Sequence, residues 1–114
     1  SVIVALSAEA ALPAQHQADE KDEFVIEAGR KAFGEGGLVC TDCHEFRGEG
    51  SGTGPDLTGW ASREWTIDFI KNPAHKRFYG RRNDRMPAYG ERGELTDREI
   101  ELVTDWLRDD VERH

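Results

Sequence analysis

The sequence has few of the residues that usually hold a small protein together. Its 114 residues include two cysteines, one methionine and four prolines, and only 37% of the residues are hydrophobic. Two cysteines cannot form a disulfide framework. No apolar run approaches the roughly eighteen residues that a membrane-spanning helix needs. The length fits one domain, and we expect that domain to have few apolar side chains for its own core.

The two cysteines lie in the pattern C-x-x-C-H, formed by Cys40-Thr41-Asp42-Cys43-His44. Residues at positions i, i+3 and i+4 share one face of a helical turn. Both thiols can therefore reach the vinyl groups of a haem while the imidazole reaches its iron. The pattern is a c-type haem attachment signal, and a haem at the centre would also supply the missing apolar core.

Two closely spaced cysteines have three other common roles in proteins. A thioredoxin-like dithiol would need a βαβ context, and no strand pattern precedes Cys40. A zinc site would need a second pair of ligands, and the chain has no further cysteine. A disulfide between Cys40 and Cys43 would close a very short loop. Covalent haem attachment is the interpretation that the residues favour.

A haem that carries electrons needs a second axial ligand, and the Met/His combination raises the reduction potential. The single methionine, Met86, lies in a loop ahead of the last predicted helix. His75 is the alternative ligand and would give a lower potential, but it stands beside Lys76 and Arg77 in a polar setting. A third hypothesis is an open sixth position, typical of a haem enzyme or gas sensor, with His75 and Arg77 as the only acid/base pair.

These motifs together resemble a class I monohaem cytochrome c. The resemblance extends from about residue 22 to residue 109 and rests on C-x-x-C-H, the run at residues 54–59, the Met86-Pro87 loop and the terminal helix. It implies an all-α fold of three to five short helices around one haem c, attached through Cys40 and Cys43. It also implies single-electron transfer rather than enzymatic catalysis. In this family a proline carbonyl, here that of Pro55, accepts a hydrogen bond from the free ring nitrogen of the haem histidine.

A narrower resemblance is to bacterial haem domains appended to membrane respiratory complexes. It rests on residues 54–59, 63–65 and 83–87. It implies a place in a respiratory chain, in the periplasm or on the outer face of the cytoplasmic membrane. The alternative function is then that of a haem domain in a larger quinol-oxidising or catalytic complex. We expect residues 1–18 to form a linker or extension, with a possible membrane tether before Ser1, and residues 19–114 to form the cytochrome c domain.

Three helices are predicted from apolar spacing and end signals, at residues 19–33, 60–71 and 95–109. Ser62 is expected to cap the second helix, and Thr96 with Glu99 forms a capping box for the third. Ile100, Leu102, Val103, Trp106 and Leu107 are expected to make the buried face of the last helix. The resemblance implies that the first helix crosses the last through Gly29, Phe33 and Trp106.

The haem propionates would need hydrogen-bond donors, because buried carboxylates are costly without partners. The candidate donors are Trp60, Arg63, Trp65, Tyr79 and Asn83.

Charge is distributed unevenly within a net charge of −8. The segment at residues 71–85 contains six basic residues and one acidic residue, and it leads directly into the Met86 loop. It is either a solvated loop with local counter-ions or a basic surface that steers an acidic redox partner to the haem. A nucleic acid is not an expected partner, because the rest of the surface would repel phosphates.

Overall fold

The computed structural model describes residues 2–34, 40–51, 53–83 and 85–110. In these ranges the chain forms five α-helices, three short 3₁₀ helices and one two-stranded antiparallel sheet. The α-helices are α1 (Val2–Glu9), α2 (His16–Lys21), α3 (Glu23–Gly34), α4 (Arg63–Lys71) and α5 (Asp97–Leu107). The strands are β1 (Glu45–Phe46) and β2 (Glu49–Gly50), and the 3₁₀ helices are Pro13–Gln15, Cys40–Asp42 and Gly80–Arg82. The predicted all-α fold class is confirmed.

The helix predicted at residues 19–33 is interrupted at Asp22, where α2 ends and α3 starts one residue later. An additional helix, α1, lies ahead of it and packs along α3. The packing buries Ala5 of α1 and Ile26 of α3. Residues 2–10 therefore have tertiary contacts with the rest of the chain, while the predicted domain boundary between residues 18 and 19 stays a prediction. Across the described residues, no helix has both the length and the apolar character needed to cross a membrane.

The N-terminal caps of α4 and α5 lie where the sequence predicted them, but α4 begins at Arg63 and α5 ends at Leu107, inside the predicted ranges 60–71 and 95–109. Ser62 Oγ accepts a hydrogen bond of 3.2 Å from the Trp65 N–H and so caps α4. At α5, Thr96 Oγ1 accepts from the Glu99 N–H at 3.1 Å, and a Glu99 carboxylate oxygen accepts from the Thr96 N–H at 2.9 Å. That backbone hydrogen bond lowers the pKa of Glu99. Both caps satisfy backbone donors that the first helical turn leaves without partners.

Two groups of aromatic rings provide most of the large buried side chains. Phe33 of α3 stacks on Phe46 of β1 with ring centroids 4.4 Å apart. Trp65 of α4 meets Phe78 edge-on at 5.1 Å and stacks on Phe69 at 5.2 Å. Edge-to-face and offset-stacked pairs are the favoured arrangements of aromatic rings. These contacts join α3 to the hairpin and α4 to the segment that follows it.

The predicted buried face of α5 is only partly correct. Ile100 is fully buried, but Leu102, Val103, Leu107 and Trp106 are exposed, Trp106 by 71%. The prediction that Trp106 packs at a crossing of the first and last helices is wrong. Phe33 is buried against Phe46 instead.

The side of α5 that is buried is partly polar. Thr104 and Asp105 lie there with Ile100, because Asp105 pairs with Arg63 of α4. An apolar pattern alone could not indicate that a carboxylate would be turned inward by an arginine on a neighbouring helix.

Candidate haem site

The C-x-x-C-H segment forms one tight turn. The N–H groups of Cys43 and His44 both donate to the Cys40 carbonyl, at 3.2 and 3.0 Å. Neither cysteine is in a disulfide; Cys40 is half-buried and Cys43 is exposed. The turn therefore brings two cysteine side chains and an imidazole together within five consecutive residues.

The imidazole of His44 is oriented by one hydrogen bond. Its Nδ1 lies 2.7 Å from the Pro55 carbonyl oxygen. A carbonyl oxygen can only accept, so Nδ1 carries the proton and donates. In the neutral ring Nε2 then keeps its lone pair, which is the form that binds a metal ion. A second-shell hydrogen bond of this kind fixes the ring and makes its ligand nitrogen more basic.

Gly54 allows the loop to approach the His44 ring closely. A Cβ at residue 54 would lie 2.7 Å from Cε1 and 2.9 Å from Nδ1 of the imidazole. The Gly54 N–H also donates to the Cys43 carbonyl at 2.5 Å. Only a residue without a side chain fits between the loop and the ring.

A short β-hairpin, which the sequence analysis did not predict, directly follows His44. Arg47 and Gly48, with φ of +52° and +87°, form the two-residue turn of the β1–β2 hairpin. Positive φ at both central residues is the mark of a type I′ turn. The available signal was a two-residue connection ending in glycine.

The hairpin and the loop after it close onto the attachment turn. The Ser51 N–H donates to the Thr41 carbonyl at 2.9 Å, and the Leu57 N–H donates to the Glu45 carbonyl at 2.8 Å. The His44–Pro55 hydrogen bond lies between these two backbone contacts along the chain. The backbone around the imidazole is thus held on both sides of the ring.

Met86 is half-buried in a loop that the side chain of Asn83 tethers. Asn83 Nδ2 donates to the Met86 carbonyl at 2.9 Å. The segment before this loop touches the Pro55 loop, since the Asp56 N–H donates to the Arg77 carbonyl at 2.8 Å and Arg82 Nη1 donates to the Thr53 carbonyl at 2.7 Å. The structure thus brings the two predicted ligand-bearing segments into contact through their flanking residues.

His75 has a different environment from His44. Its residue is exposed, and its Nδ1 accepts a hydrogen bond of 3.1 Å from the Arg77 N–H. In the neutral ring the proton then lies on Nε2.

Three of the five predicted propionate donors already hold protein acceptors. Trp65 Nε1 donates to the Asp56 carbonyl at 3.3 Å, and Asn83 holds the Met86 carbonyl. Arg63 donates to the Asp105 carboxylate from Nε at 2.7 Å and from Nη2 at 3.3 Å. The hydrogen bond that Arg63 donates to Asp105 raises the pKa of Arg63. These contacts are observed, whereas contact with propionates stays a prediction.

The other two candidates, Trp60 and Tyr79, are exposed by 41% and 49%. The Tyr79 ring contacts the edge of Phe69. Trp60 lines an apolar cavity of about 670 Å³. The propionate roles of both residues also stay predictions.

The 670 Å³ cavity lies between α1, the loop after Pro55 and the end of α5. Its apolar wall includes Ile3, Leu6, Ala10, Leu57, Trp60 and Leu107. This volume is within the range of cofactor sites. Cys40, Cys43, His44 and Met86 are not among its described lining residues, so the cavity adjoins the Pro55 loop rather than the attachment turn.

The residues of the attachment turn fit a haem c. They offer two free thiols for thioether bonds and one imidazole whose Nε2 is available to iron. Within the described ranges, no group of three or more His, Cys, Asp or Glu side chains could hold another metal ion. A mostly helical fold with this turn defines a monohaem c-type cytochrome domain.

Comparison with protein families agrees with that class. The family model described as "Cytochrome C oxidase, cbb3-type, subunit III" matches residues 25–107, and the chain belongs to this family. Haem c is therefore bound covalently in this domain, and the domain transfers electrons through it. Comparisons with curated proteins and with solved structures gave no match.

Proposed function

We propose that the domain is a single-electron carrier of a bacterial respiratory chain, with its haem iron held by His44 and Met86, and that it is not an enzyme. The observation that carries the proposal is the 2.7 Å contact between His44 Nδ1 and the Pro55 carbonyl. This contact leaves Nε2 as the ligand atom. When bound, haem supplies the one-electron couple, and the chain contributes axial ligands, second-shell hydrogen bonds and burial.

The surroundings of Met86 and His75 support Met86 as the sixth ligand. The thioether of Met86 needs no change of protonation to bind iron. The hydrogen bond from the Asn83 side chain to the Met86 carbonyl also tethers the backbone at this residue. To bind iron through Nε2, His75 would have to lose the proton on Nε2, and to bind through Nδ1 it would have to give up the hydrogen bond from the Arg77 N–H. Its ring is also exposed to solvent. Each of these changes opposes ligation by His75.

The experiment is addition of carbon monoxide to the dithionite-reduced protein at neutral pH, followed by its optical spectrum. We expect no change, because both axial positions are held by the protein. Prompt and complete binding would mean that the sixth position is open or labile. It would remove Met86 as a stable ligand and favour the haem enzyme or gas sensor.

The segment at residues 71–85 is proposed to be the docking surface for an acidic redox partner. Within the described residues, Lys71 of this segment lies 3.7 Å from Asp97, and Arg77 lies 3.3 Å from Asp68. Both carboxylates are themselves more than half exposed, so water screens these pairs. Excess positive charge beside the Met86 loop would speed association with a partner of opposite sign.

Neutralising Arg81 and Arg82 tests the docking surface. We expect Arg81→Gln with Arg82→Gln to lower the rate of electron exchange with an acidic partner by about tenfold at low salt and to flatten its salt dependence. The matched control is Arg92→Gln with Arg98→Gln, which removes the same charge outside the segment. Equal effects of the two pairs would contradict a localised surface.

The family description supports a second candidate function, that of a haem domain in a larger quinol-oxidising or catalytic membrane complex. In this setting the domain would face the periplasm or the outer side of the cytoplasmic membrane. Haem-stained native protein would then be recovered from membranes in an assembly much larger than 12.8 kDa. Recovery as a free carrier of about that mass would favour the first candidate.

A further inference from the structure

A buried carboxylate lies beside the candidate haem site but outside the part of the chain that matches the family. Glu9 is the last residue of α1, and its side chain is only 4% exposed. Its Oε1 accepts from Arg47 Nε at 2.9 Å and from Arg47 Nη2 at 2.7 Å. Its Oε2 accepts from the Gly59 N–H at 2.8 Å. Arg30 Nε of α3 lies 3.6 Å from the same carboxylate.

The two main partners of Glu9 flank the hydrogen bond that orients the haem ligand. Arg47 follows His44 in the hairpin turn, and Gly59 follows Pro55 in the next loop. The same two segments also meet directly, through the Arg47 N–H and Thr58 Oγ1 at 2.6 Å. Glu9 therefore links the hairpin turn to the loop after Pro55. The spacing of these two segments sets the distance from His44 Nδ1 to the Pro55 carbonyl.

We infer that Glu9 is a positioning residue for the haem ligand. By joining Arg47 to Gly59, it maintains the hydrogen bond from His44 Nδ1 to the Pro55 carbonyl and so sets the balance between reduced and oxidised iron. The contact is charge-assisted, and two N–H groups of Arg47 converge on Glu9 Oε1 while the Gly59 N–H occupies Oε2. The inference rests on the proposed ligation by His44. It assigns residues 2–10 a role in the electron-transfer site.

The direction of the effect follows from the hydrogen bond. A firm bond at Nδ1 makes the ligand nitrogen more basic, which stabilises the oxidised iron. Loosening it destabilises the oxidised state, so the reduced fraction at a fixed applied potential rises. Loss of the negative charge on Glu9, as in Glu9→Gln, would by itself also destabilise the oxidised iron and raise the reduced fraction. A second variant is therefore needed to separate the effect of position from the effect of charge.

Arg47 separates the two explanations, because it carries the opposite charge. Glu9→Gln and Arg47→Gln are compared in the holoprotein, with the reduced-to-oxidised ratio at a fixed potential and the His44 ring N–H resonance as readouts. A charge effect would move the ratio in opposite directions in the two variants. Positioning moves it the same way: we expect both variants to raise the ratio at least about threefold and to shift the His44 resonance.

Two further variants complete the design. Glu27→Gln is the matched control, because Glu27 also pairs with Arg30 but is 56% exposed. We expect it to change the ratio less than Glu9→Gln does. The double variant Glu9→Gln with Arg47→Gln should show no more effect than either single change, because both act through one contact.

Opposite shifts in the two single variants, or equal effects of Glu9→Gln and Glu27→Gln, would overturn the inference. If Glu9→Gln does not fold, Arg47→Gln decides alone: a rise in the ratio supports the inference and a fall overturns it. Failure of the proposed ligation would be visible separately, since the wild-type protein would then lack a haem-shifted His44 ring resonance.

Discussion

The His44 side and the Met86 side of the candidate haem site are built differently. The His44 ring donates a hydrogen bond to the Pro55 carbonyl and lies close to Gly54. The backbone N–H of His44 donates to the Cys40 carbonyl. Among the described residues, Asn83 tethers the Met86 loop through a hydrogen bond to the Met86 carbonyl. The ring of one candidate ligand is oriented directly by a protein hydrogen bond, whereas the described tether of the other holds the backbone of its residue.

Charge adds to this difference. The Met86 loop follows a segment of like positive charges, which repel one another and oppose compaction. The His44 side has its arginine, Arg47, neutralised by the buried carboxylate of Glu9. We therefore expect conditions that destabilise the protein to detach Met86 from the iron before they disturb the contacts of His44.

The largest effect is expected from removing both thiols. In the variant Cys40→Ser with Cys43→Ser, no thioether bond can form, so haem should be lost completely when the protein is denatured. A haem-stained denaturing gel measures this, with wild-type protein as the positive control. Haem retained by the double variant would mean that attachment uses other residues.

The next largest effect is expected at the sixth position. Met86→Leu should open it, so that the reduced protein binds carbon monoxide and its reduction potential falls. His75→Ala is the matched control and should behave as wild type. The reverse outcome, an open site only in His75→Ala, would make His75 the ligand.

Apart from the His44–Pro55 hydrogen bond, which the family resemblance implied, the local features that the sequence predicted correctly are set by neighbouring residues. The C-x-x-C-H turn and the caps at Ser62 and Thr96 each depend on residues within a few positions of one another. A capping hydrogen bond reaches only the first turn of its helix. Local sequence was enough to place these features.

The features that sequence did not predict depend on residues far apart in the chain. Glu9 and Arg47 are 38 positions apart, and nothing in the local pattern of either residue indicates a partner. Trp106 was predicted to be buried because apolar spacing indicates a face. Spacing cannot say whether another element covers that face, and here Trp106 is exposed.

A smaller effect is expected from filling the space beside the His44 ring. Gly54→Ala would place a Cβ 2.7 Å from Cε1 of the imidazole, and we expect it to lower the free energy of unfolding by about 1–3 kcal/mol. It should also shift the His44 ring N–H resonance. Urea unfolding and NMR measure the two effects.

The control for Gly54→Ala is Gly48→Ala. A Cβ at Gly48 meets nothing within 4 Å, but its φ of +87° disfavours alanine. We expect backbone strain in this variant to lower the free energy of unfolding by about 1 kcal/mol without shifting the His44 ring N–H resonance. A shift of equal size in both variants would show that general destabilisation, not contact with the ring, moves the signal.

The smallest effect is expected on the Met86 side, where a single hydrogen bond is removed. Asn83→Ala deletes the donor to the Met86 carbonyl, a contact worth about 1 kcal/mol. If that energy holds Met86 in place, the population with an unbound sixth position rises about fivefold, and carbon monoxide binds the reduced protein about fivefold faster. Asn72→Ala is the control, because Asn72 donates its side-chain amide to Glu91, outside this loop. Equal rates in the two variants would mean that Asn83 stabilises the fold rather than the ligand loop, and the Met86 side would then be held by haem and protein contacts other than this tether.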